Sequence, residues 1–365
     1  MPVSAAGVDR IGARAYRIPT DAPEADGTFA WDSTTLVVVD IEAAGRTGLG
    51  YSYSSTSIVP LTDRSLASVV LHGDAFAIEA HWEAMTRAVR NLGRPGLAAT
   101  AISAVDMALW DLEARLLDLP LVRLLGRARE SVPIYGSGGF TSYADERLQE
   151  QLGRWVHEDG CGAVKMKIGT HPDRDLDRVR AARDAIGDAE LYVDANGAYR
   201  VKQALAFAEA FADLGVTWFE EPVSSDDLAG LRLMRERAPA GMAIAAGEYG
   251  YEPFYFRRMF EAGAVDVLQA DATRCGGYTG FLRAAALADA CAVPLSAHTA
   301  PAVHLPVCCA APRLFNLEWF HDHVRIEHML FEGAPVPGNG AVRPDLSRPG
   351  NGLAFKHRDT ERFAA

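Results

Sequence analysis

The chain is poor in cysteine and in positive charge, and each of these features excludes some classes of function. Its 365 residues include five cysteines and no C-x-x-C pair, so neither a disulfide framework nor a zinc knuckle is indicated. Reduced thiols are the simpler explanation. The net charge of -12 argues against binding to nucleic acid or to an anionic membrane surface. An anionic small substrate stays compatible with this charge, because a local metal ion or lysine pair can invert the field.

Long apolar segments are also lacking. No run approaches the roughly 20 residues needed to span a bilayer, and residues 1–17 contain no apolar core of the signal-peptide kind. We therefore expect a cytoplasmic protein with no membrane partner. The 49% hydrophobic composition is ample for a large core, which predicts one large domain with a smaller one, or two domains.

The first third of the chain mixes strand and helix patterns. Residues 13–18 and 34–43 read as strands, and the polar stretch 20–32 between them is predicted to be a mobile loop. Residues 74–92 and 98–117 read as helices. The second of these has one apolar stripe and small residues that would let a neighbour approach closely, and we expect it to pack in the core.

A second loop is predicted over residues 48–57, which are rich in hydroxyl groups and include Tyr51 and Tyr53. Two interpretations stay open for it. It is either a surface that recognises a sugar or an acid, or an ordinary solvated turn. We expect Tyr51, Tyr53 and the loop over residues 20–32 to face the active site.

From about residue 128 the pattern becomes periodic. Short apolar runs recur at intervals of roughly 20–28 residues, with alanine-rich helical stretches between them. This alternation predicts parallel strands joined by helical crossovers, and eight such units fit a (β/α)8 barrel of the α/β class. A doubly wound sheet is the alternative, but no G-x-G-x-x-G follows any run. The runs cover residues 132–136, 164–169, 191–196, 217–222, 243–248, 265–271, 294–298 and 314–319.

Ionisable side chains lie at the ends of these runs from the second to the eighth. In a parallel barrel the active site lies at the carboxyl ends of the strands. Lys165 and Lys167 are two residues apart, so they share one face of a strand, although this pair alone also fits an edge strand protected by lysines. Seven consecutive run ends of this kind are not typical of a solvated rim. The residues at these ends are Lys165, Lys167, Asp194, Asn196, Glu220, Glu221, Glu248, Asp271, His298 and Glu318.

Acids at three consecutive run ends predict a metal site. Asp194, the adjacent pair Glu220 and Glu221, and Glu248 supply oxygen donors, which suit Mg2+ first and Mn2+ second. No cysteine and no histidine pair lies among them, which argues against zinc. The choice between the two adjacent glutamates is not made by this pattern.

Two bases are expected on opposite sides of this metal site. Lys167, near another lysine and a divalent ion, is expected to have a lowered pKa and to act as a neutral base. Asp271 is expected to orient His298. Such bases suit removal of a proton next to a carboxylate, with the metal stabilising the resulting enediolate. Glu318, if it is kept protonated, would donate a hydrogen bond to the same oxygen.

Taken in order, these short motifs make the chain resemble the mandelate racemase subgroup of the enolase superfamily. The resemblance covers nearly the whole chain and implies a capping α+β domain around a modified barrel. It implies that residues 1–127 form the cap, that residues 128–324 form the barrel, and that a tail over about residues 325–365 packs back on the cap.

The resemblance also implies roles for single residues. Lys165-Met166-Lys167 matches a K-x-K motif whose second lysine is the base and whose first helps to bind the carboxylate. In the sequence Phe219-Glu220-Glu221-Pro222 the metal ligand is the glutamate two before proline, which is Glu220. The implied metal ligands are Asp194, Glu220 and Glu248; the implied catalytic residues are Lys167, His298, Asp271 and Glu318; the implied substrate-binding residues include Lys165 and Asn196.

One sequence difference from related families excludes some of the possible reactions. The muconate-lactonizing and dipeptide-epimerase relatives carry a lysine on the sixth strand, where this chain has Asp271 before Gly276-Gly277. Arg274 cannot replace that lysine, because its charge cannot be lost. The His298–Asp271 version of the site therefore remains.

The expected reaction is Mg2+-dependent dehydration of an acid sugar, an aldonate or aldarate, to a 2-keto-3-deoxy acid. The alternative is racemisation or epimerisation of a 2-hydroxy acid. A barrel that binds a metabolite without turnover is the remote alternative, because a binding role needs no general base. The expected partner is a small carboxylate substrate, and we expect a homo-oligomer.

Overall fold

The computed structural model describes residues 6–365. It begins with an antiparallel sheet of three strands, β1 (Arg10–Ala25), β2 (Ala30–Ala43) and β3 (Arg46–Tyr53). The predicted loop over residues 20–32 is wrong for most of its length, because β1 and β2 stay paired across a register shift and enclose only residues 26–29. The predicted loop over residues 48–57 is also wrong up to Tyr53, which ends β3.

The tip of the β1–β2 hairpin is a hydrogen-bonded turn that packs closely against the barrel. Oδ1 of Asp26 accepts hydrogen bonds from the backbone N–H groups of Thr28 and Phe29, each at 2.7 Å. A Cβ atom on Gly27 would lie 2.2 Å from the carbonyl oxygen of Ala195 in the barrel, so only glycine permits this approach. The polar residues that suggested a mobile loop therefore build a docked turn.

Helices complete the cap: α1 (Ile58–Leu61), a π-helical turn (Thr62–Leu66), α2 (Ala67–Val70), α3 (Ile78–Ala88), α4 (Leu97–Leu116) and α5 (Leu121–Leu124). The predicted core helix over residues 98–117 is confirmed by α4. Its burial is not confined to one stripe, because α4 packs between β3 and the barrel helix that follows Gly276. A Cβ atom on Gly50 of β3 would lie 2.1 Å from the carbonyl oxygen of Ala104, which confirms the predicted close approach.

Eight parallel strands form a closed barrel, because the last pairs with the first. This confirms the predicted (β/α)8 fold. The strands are β4 (Val132–Gly138), β5 (Ala163–Lys167), β6 (Glu190–Asp194), β7 (Val216–Glu220), β8 (Ala243–Ala246), β9 (Val267–Ala270), β10 (Leu295–Ala297) and β11 (Leu314–Phe320).

A helix follows each barrel strand. None of the helices within residues 6–365 is long and apolar enough to cross a lipid bilayer. The helices are α6 (Asp145–His157), α7 (Pro172–Ile186), α8 (Val201–Ala212), α9 (Leu228–Arg237), α10 (Pro253–Ala262), α11 (Gly277–Ala290), α12 (Pro301–Ala310) and α13 (His321–Leu330).

The barrel interior is closed by an aromatic layer beneath the polar strand ends. Tyr135, Tyr192 and Trp218 cluster there, with Tyr192 and Trp218 stacked at 4.9 Å between ring centroids. These rings fill the barrel and leave the carboxyl ends of its strands as the accessible mouth.

The tail contacts both parts of the molecule. It contains β12 (Phe331–Glu332), β13 (Ala341–Val342), β14 (Ala354–Phe355), α14 (His357–Thr360) and a 3-10 turn (Glu361–Phe363). The side chain of Asn351 donates to the carbonyl oxygen of Leu49 in the cap at 3.1 Å, whereas β13 pairs with β4 of the barrel. The division into separate domains at residues 127 and 324 stays a prediction.

Candidate active site

Three carboxylates come together at the barrel mouth. Asp194 and Glu220 end two adjacent strands and are direct partners in the sheet, and Glu248 follows the next strand by two residues. One oxygen from each of the three lies within 4.8 Å of the others, and all three side chains are buried. The strand register alone therefore brings the predicted metal ligands to one point.

The surroundings of Glu220 fix its carboxylate. Lys165 Nζ lies 2.6 Å from Oε1, while Trp218 Nε1 and Gln269 Nε2 donate to Oε2 at 3.1 and 3.0 Å. Burial, together with the neighbouring charge of Asp194, nevertheless raises the pKa of Glu220 to about 8. A cation bound between these acids would offset the free-energy cost of burying their negative charges.

The donor set fits Mg2+. All three donors are carboxylate oxygens, which hard divalent ions prefer, and neither thiolate nor imidazole belongs to the set. Glu221 is not part of it: its backbone has φ of 37°, and its side chain lines a neighbouring cavity of about 620 Å³. Among the described residues, the acids whose oxygens lie within 4.8 Å of one another include Glu220 and not Glu221, which favours Glu220 as the ligand.

Lys167 lies beside the carboxylates and lines a cavity at the barrel mouth. Its Nζ is 2.5 Å from Oδ2 of Asp194 and 3.1 Å from Oδ1 of Asn196. Burial opposes the charged form, but the charges of Asp194, Glu248 and Glu220 together outweigh it, and the pKa of Lys167 is raised. The expected lowering of this pKa does not arise from the protein groups alone, since it requires the charge of a bound ion to offset Asp194.

His298 lies between two acids: Asp271, its predicted partner, and Glu248, which the sequence did not predict as one. Its Nδ1 lies 2.8 Å from Oδ2 of Asp271, and its Nε2 lies 3.0 Å from Oε2 of Glu248. Burial opposes ionisation of the ring, yet Glu248 and then Glu318 raise the pKa of His298 to about 9. The protein groups alone therefore favour the imidazolium form of His298.

Glu318 accepts two hydrogen bonds in this structure. Ser137 Oγ donates to its Oε1 at 2.5 Å, and the backbone N–H of Thr299 donates to its Oε2 at 3.0 Å. Burial favours the neutral acid, but Lys165 and then His298 lower the pKa of Glu318 to about 2. The protein groups alone therefore favour the ionised form, and the expected hydrogen bond from a protonated Glu318 stays a prediction.

Lys165 is placed beneath the cavity. Its side chain is fully buried, and Nζ contacts Glu220 and also Glu318, the latter at 2.9 Å. The expected contact of Lys165 with the substrate carboxylate stays a prediction. Here Lys165 holds two acids in position.

A cavity of about 410 Å³ lies above these residues, between the barrel mouth and the cap. The expectation that both predicted cap loops face the active site is correct for the hairpin tip and for Tyr53. It is wrong for Tyr51, which is fully buried and donates its hydroxyl to Oε1 of Glu327 at 2.5 Å. The cap residues that line the cavity are Asp26, Thr28, Phe29, Trp31, Ser33, Thr34, Thr35, Tyr53 and Ser54.

Arg274 and His323 are among the cavity residues that were not predicted as part of the site. Arg274 reaches the cavity, and its Nε lies 3.5 Å from Oδ2 of Asp271. His323 stacks on Tyr53 at 3.5 Å between ring centroids. The signal for His323 was the run His321-Asp322-His323 directly after the last barrel strand, and Arg274 was visible only as a residue that cannot serve as a base.

Family models match both parts of the chain. The mandelate racemase / muconate lactonizing enzyme N-terminal domain matches residues 17–126, and the enolase C-terminal domain-like model matches residues 147–360. The chain belongs to this family. This match confirms the resemblance that the sequence motifs indicated, and the protein is an enzyme of the enolase superfamily.

Two curated relatives of this enolase-superfamily chain act on sugar acids. A 3,6-anhydro-alpha-L-galactonate cycloisomerase from Streptomyces coelicolor is 34% identical, over 98% of this chain and 99% of its own. An arabinonate dehydratase from Saccharolobus solfataricus is 31% identical, over 88% of each chain.

Solved structures agree with the fold and the cofactor. A mandelate racemase/muconate lactonizing enzyme-like protein from Rubrobacter xylanophilus is 52% identical with a TM-score of 0.96, over 98% of this chain and all of its own. An enolase from Bradyrhizobium, complexed with magnesium and mandelic acid, is 28% identical with a TM-score of 0.90, over 100% of this chain and 99% of its own. Mg2+ is thus the cofactor that suits this enolase-superfamily site.

Proposed function

We propose that this enzyme removes the proton next to the carboxylate of an acid sugar, an aldonate or aldarate, and dehydrates it to a 2-keto-3-deoxy acid. The observation that carries the proposal is the placement of Lys167 and His298 in one cavity, with the three carboxylates beside them. A small carboxylate is the matching partner, since the cavity of about 410 Å³ is of the size that holds one metabolite.

The two bases divide the proton transfers that dehydration needs. One takes the proton from C2, and the other gives a proton to the departing hydroxyl on C3. Asp271 holds the ring of His298 through Nδ1, so Nε2 is the nitrogen that moves the proton. Asn196 holds Nζ of Lys167 at 3.1 Å. When bound, Mg2+ supplies positive charge that stabilises the negative charge developing next to the carboxylate.

The cap supports a polyol substrate. Hydroxyl groups from the tip and the second strand of the hairpin and from the end of β3 line the cavity, where they can bind the hydroxyls of a sugar acid. Arg274 adds a fixed positive charge on the barrel side. The arabinonate dehydratase relative agrees with this substrate class. The cap hydroxyls are those of Thr28, Ser33, Thr34, Thr35, Tyr53 and Ser54.

A second candidate is isomerisation of a hydroxy acid without loss of water. The cycloisomerase relative spans nearly the whole chain, and the mandelic acid complex comes from a structural neighbour. Racemisation or epimerisation would use Lys167 and His298 as two bases, one for each enantiomer. Binding without turnover is disfavoured, because it needs neither base.

The test is a screen of mono- and diacid sugars with Mg2+, read by an assay for 2-keto acids. We expect one or more substrates to give a 2-keto acid with the wild type and none with His298→Asn. Parallel NMR spectra of each mixture separate the candidates. A new stereoisomer or a rearranged ring without 2-keto acid would replace dehydration by the second candidate, and no turnover of any acid would oppose both.

A further inference from the structure

A second cluster of ligand-type side chains lies apart from the metal site at the barrel mouth. Asp21 and Glu24 come from β1, and His321 is the first residue of α13. One carboxylate oxygen from each acid and one ring nitrogen of His321 all lie within 4.8 Å of one another. The cluster therefore joins the cap hairpin to the helix that follows the last barrel strand.

Acidic clusters are common on protein surfaces, so the decisive observation concerns Glu24. This side chain is only 1% exposed. Its Oε2 accepts a hydrogen bond from Trp31 Nε1 at 2.8 Å, whereas Oε1 is buried and has no hydrogen-bond partner among residues 6–365. A buried carboxylate oxygen without a partner is costly, and an ion or an ordered water is the usual explanation.

The electrostatics around Glu24 point the same way. Burial, followed by the charges of Asp322 and Asp21, raises the pKa of Glu24 to about 8. The hydrogen bond from Trp31 and the charge of Arg325 offset this only in part. The protein alone therefore solvates the ionised carboxylate poorly, and a bound cation would supply the missing charge.

The other two donors are free to adjust around an ion. The side chain of Asp21 is 38% exposed, and its Oδ2 lies 3.0 Å from Nε2 of His321. Its second oxygen makes only a long contact of 3.4 Å with Arg147. An entering ion would replace the hydrogen bond between Asp21 and His321 by two bonds to itself.

We propose that Asp21, Glu24 and His321 bind a divalent transition-metal ion of the Zn2+ class. One imidazole nitrogen and two carboxylate oxygens form a donor set that Zn2+ accepts and that differs from the all-oxygen set at the barrel mouth. The ion would fasten the hairpin of β1 and β2 to the start of α13, next to Phe320, which lines the cavity.

The test is a calorimetric titration of Zn2+ into the protein saturated with Mg2+. The wild type should bind one more Zn2+ per chain than His321→Ala. The matched control is His157→Ala, which removes an exposed histidine on α6 and should behave as the wild type. Any Zn2+ that displaces Mg2+ at the barrel mouth is present in all three proteins, so the difference between them reports the second site.

A milder variant guards against loss of the fold. Asp21→Asn changes one exposed side chain and should weaken Zn2+ binding by about tenfold or more, as loss of an ionised ligand does. Crystals soaked in Zn2+ should give an anomalous peak among the three side chains. Equal stoichiometry and affinity in the wild type and His321→Ala would overturn the proposal. A crystal in which Oε1 of Glu24 binds water and no Zn2+ would overturn it as well.

Discussion

Removal of either base in the cavity should stop turnover, but the two removals should leave different partial reactions. Lys167→Ala deletes the ammonium group beside Asp194, and His298→Asn deletes the ring held by Asp271. If Lys167 takes the C2 proton, His298→Asn should still exchange that proton without releasing water. If His298 takes it, Lys167→Ala should be the variant that exchanges.

The size of the loss follows from which groups could substitute. A positioned general base contributes about 10²–10⁴-fold to the rate. This factor corresponds to a lowering of the activation free energy by about 3–5 kcal/mol. Among the described residues that line the cavity, Arg274 cannot lose its proton and His323 is stacked on Tyr53. Neither can take over as a base, so we expect losses in the upper half of this range.

The assay is incubation of substrate in D2O with each variant, followed by mass spectrometry and NMR at C2. Metal binding must be measured beside it by calorimetry. Lys167→Ala removes a cation from Asp194 and should not weaken Mg2+ binding. Near wild-type turnover in both variants would refute the two-base mechanism. Loss of Mg2+ binding in either variant would instead attribute its loss of activity to the metal site.

Three further predictions concern the metal, the histidine and the cap. EDTA should abolish activity, and Mg2+ should restore it. Calorimetry should find that Glu220→Gln weakens Mg2+ binding far more than Glu221→Gln does. The reverse order would contradict the choice of Glu220 as the metal ligand. Asp271→Asn should lower kcat by about 10²-fold or more with Mg2+ affinity unchanged, because His298 loses its orientation; an unchanged kcat would count against it. Tyr51→Phe should cost about 1–3 kcal/mol in the free energy of unfolding, measured by denaturant titration, with KM unchanged; a raised KM would instead place Tyr51 in the site.

The barrel and its carboxylates could be predicted because they follow from local rules. Apolar runs at regular intervals define the strands, and parallel strands bring their carboxyl ends to one edge. Asp194 and Glu220 then meet because they are direct partners in the sheet. The choice between Glu220 and Glu221 needed either the family resemblance or the three-dimensional grouping of the acids, which includes Glu220 and not Glu221.

The cap was harder to predict because its polar residues contact the barrel rather than water. The polar composition of residues 20–32 suggested mobility, yet Asp26 caps a tight turn and Gly27 fits against Ala195. Tyr51 shows the same limit, since nothing near it in sequence reveals Glu327 as its partner, 276 residues away. The pKa of Glu318 likewise depends on Lys165, whose Nζ lies 2.9 Å from its Oε1.

The inferred Zn2+ site and the cavity share one side chain. Trp31 lines the cavity and also donates its indole N–H to Glu24, so the position of the ring depends on what the Glu24 carboxylate binds. An ion at Asp21, Glu24 and His321 would hold Trp31 in its present orientation over the active site. Coupling of this kind is reciprocal: a substrate that packs against Trp31 must change the affinity for Zn2+ by the same factor by which Zn2+ changes the affinity for that substrate.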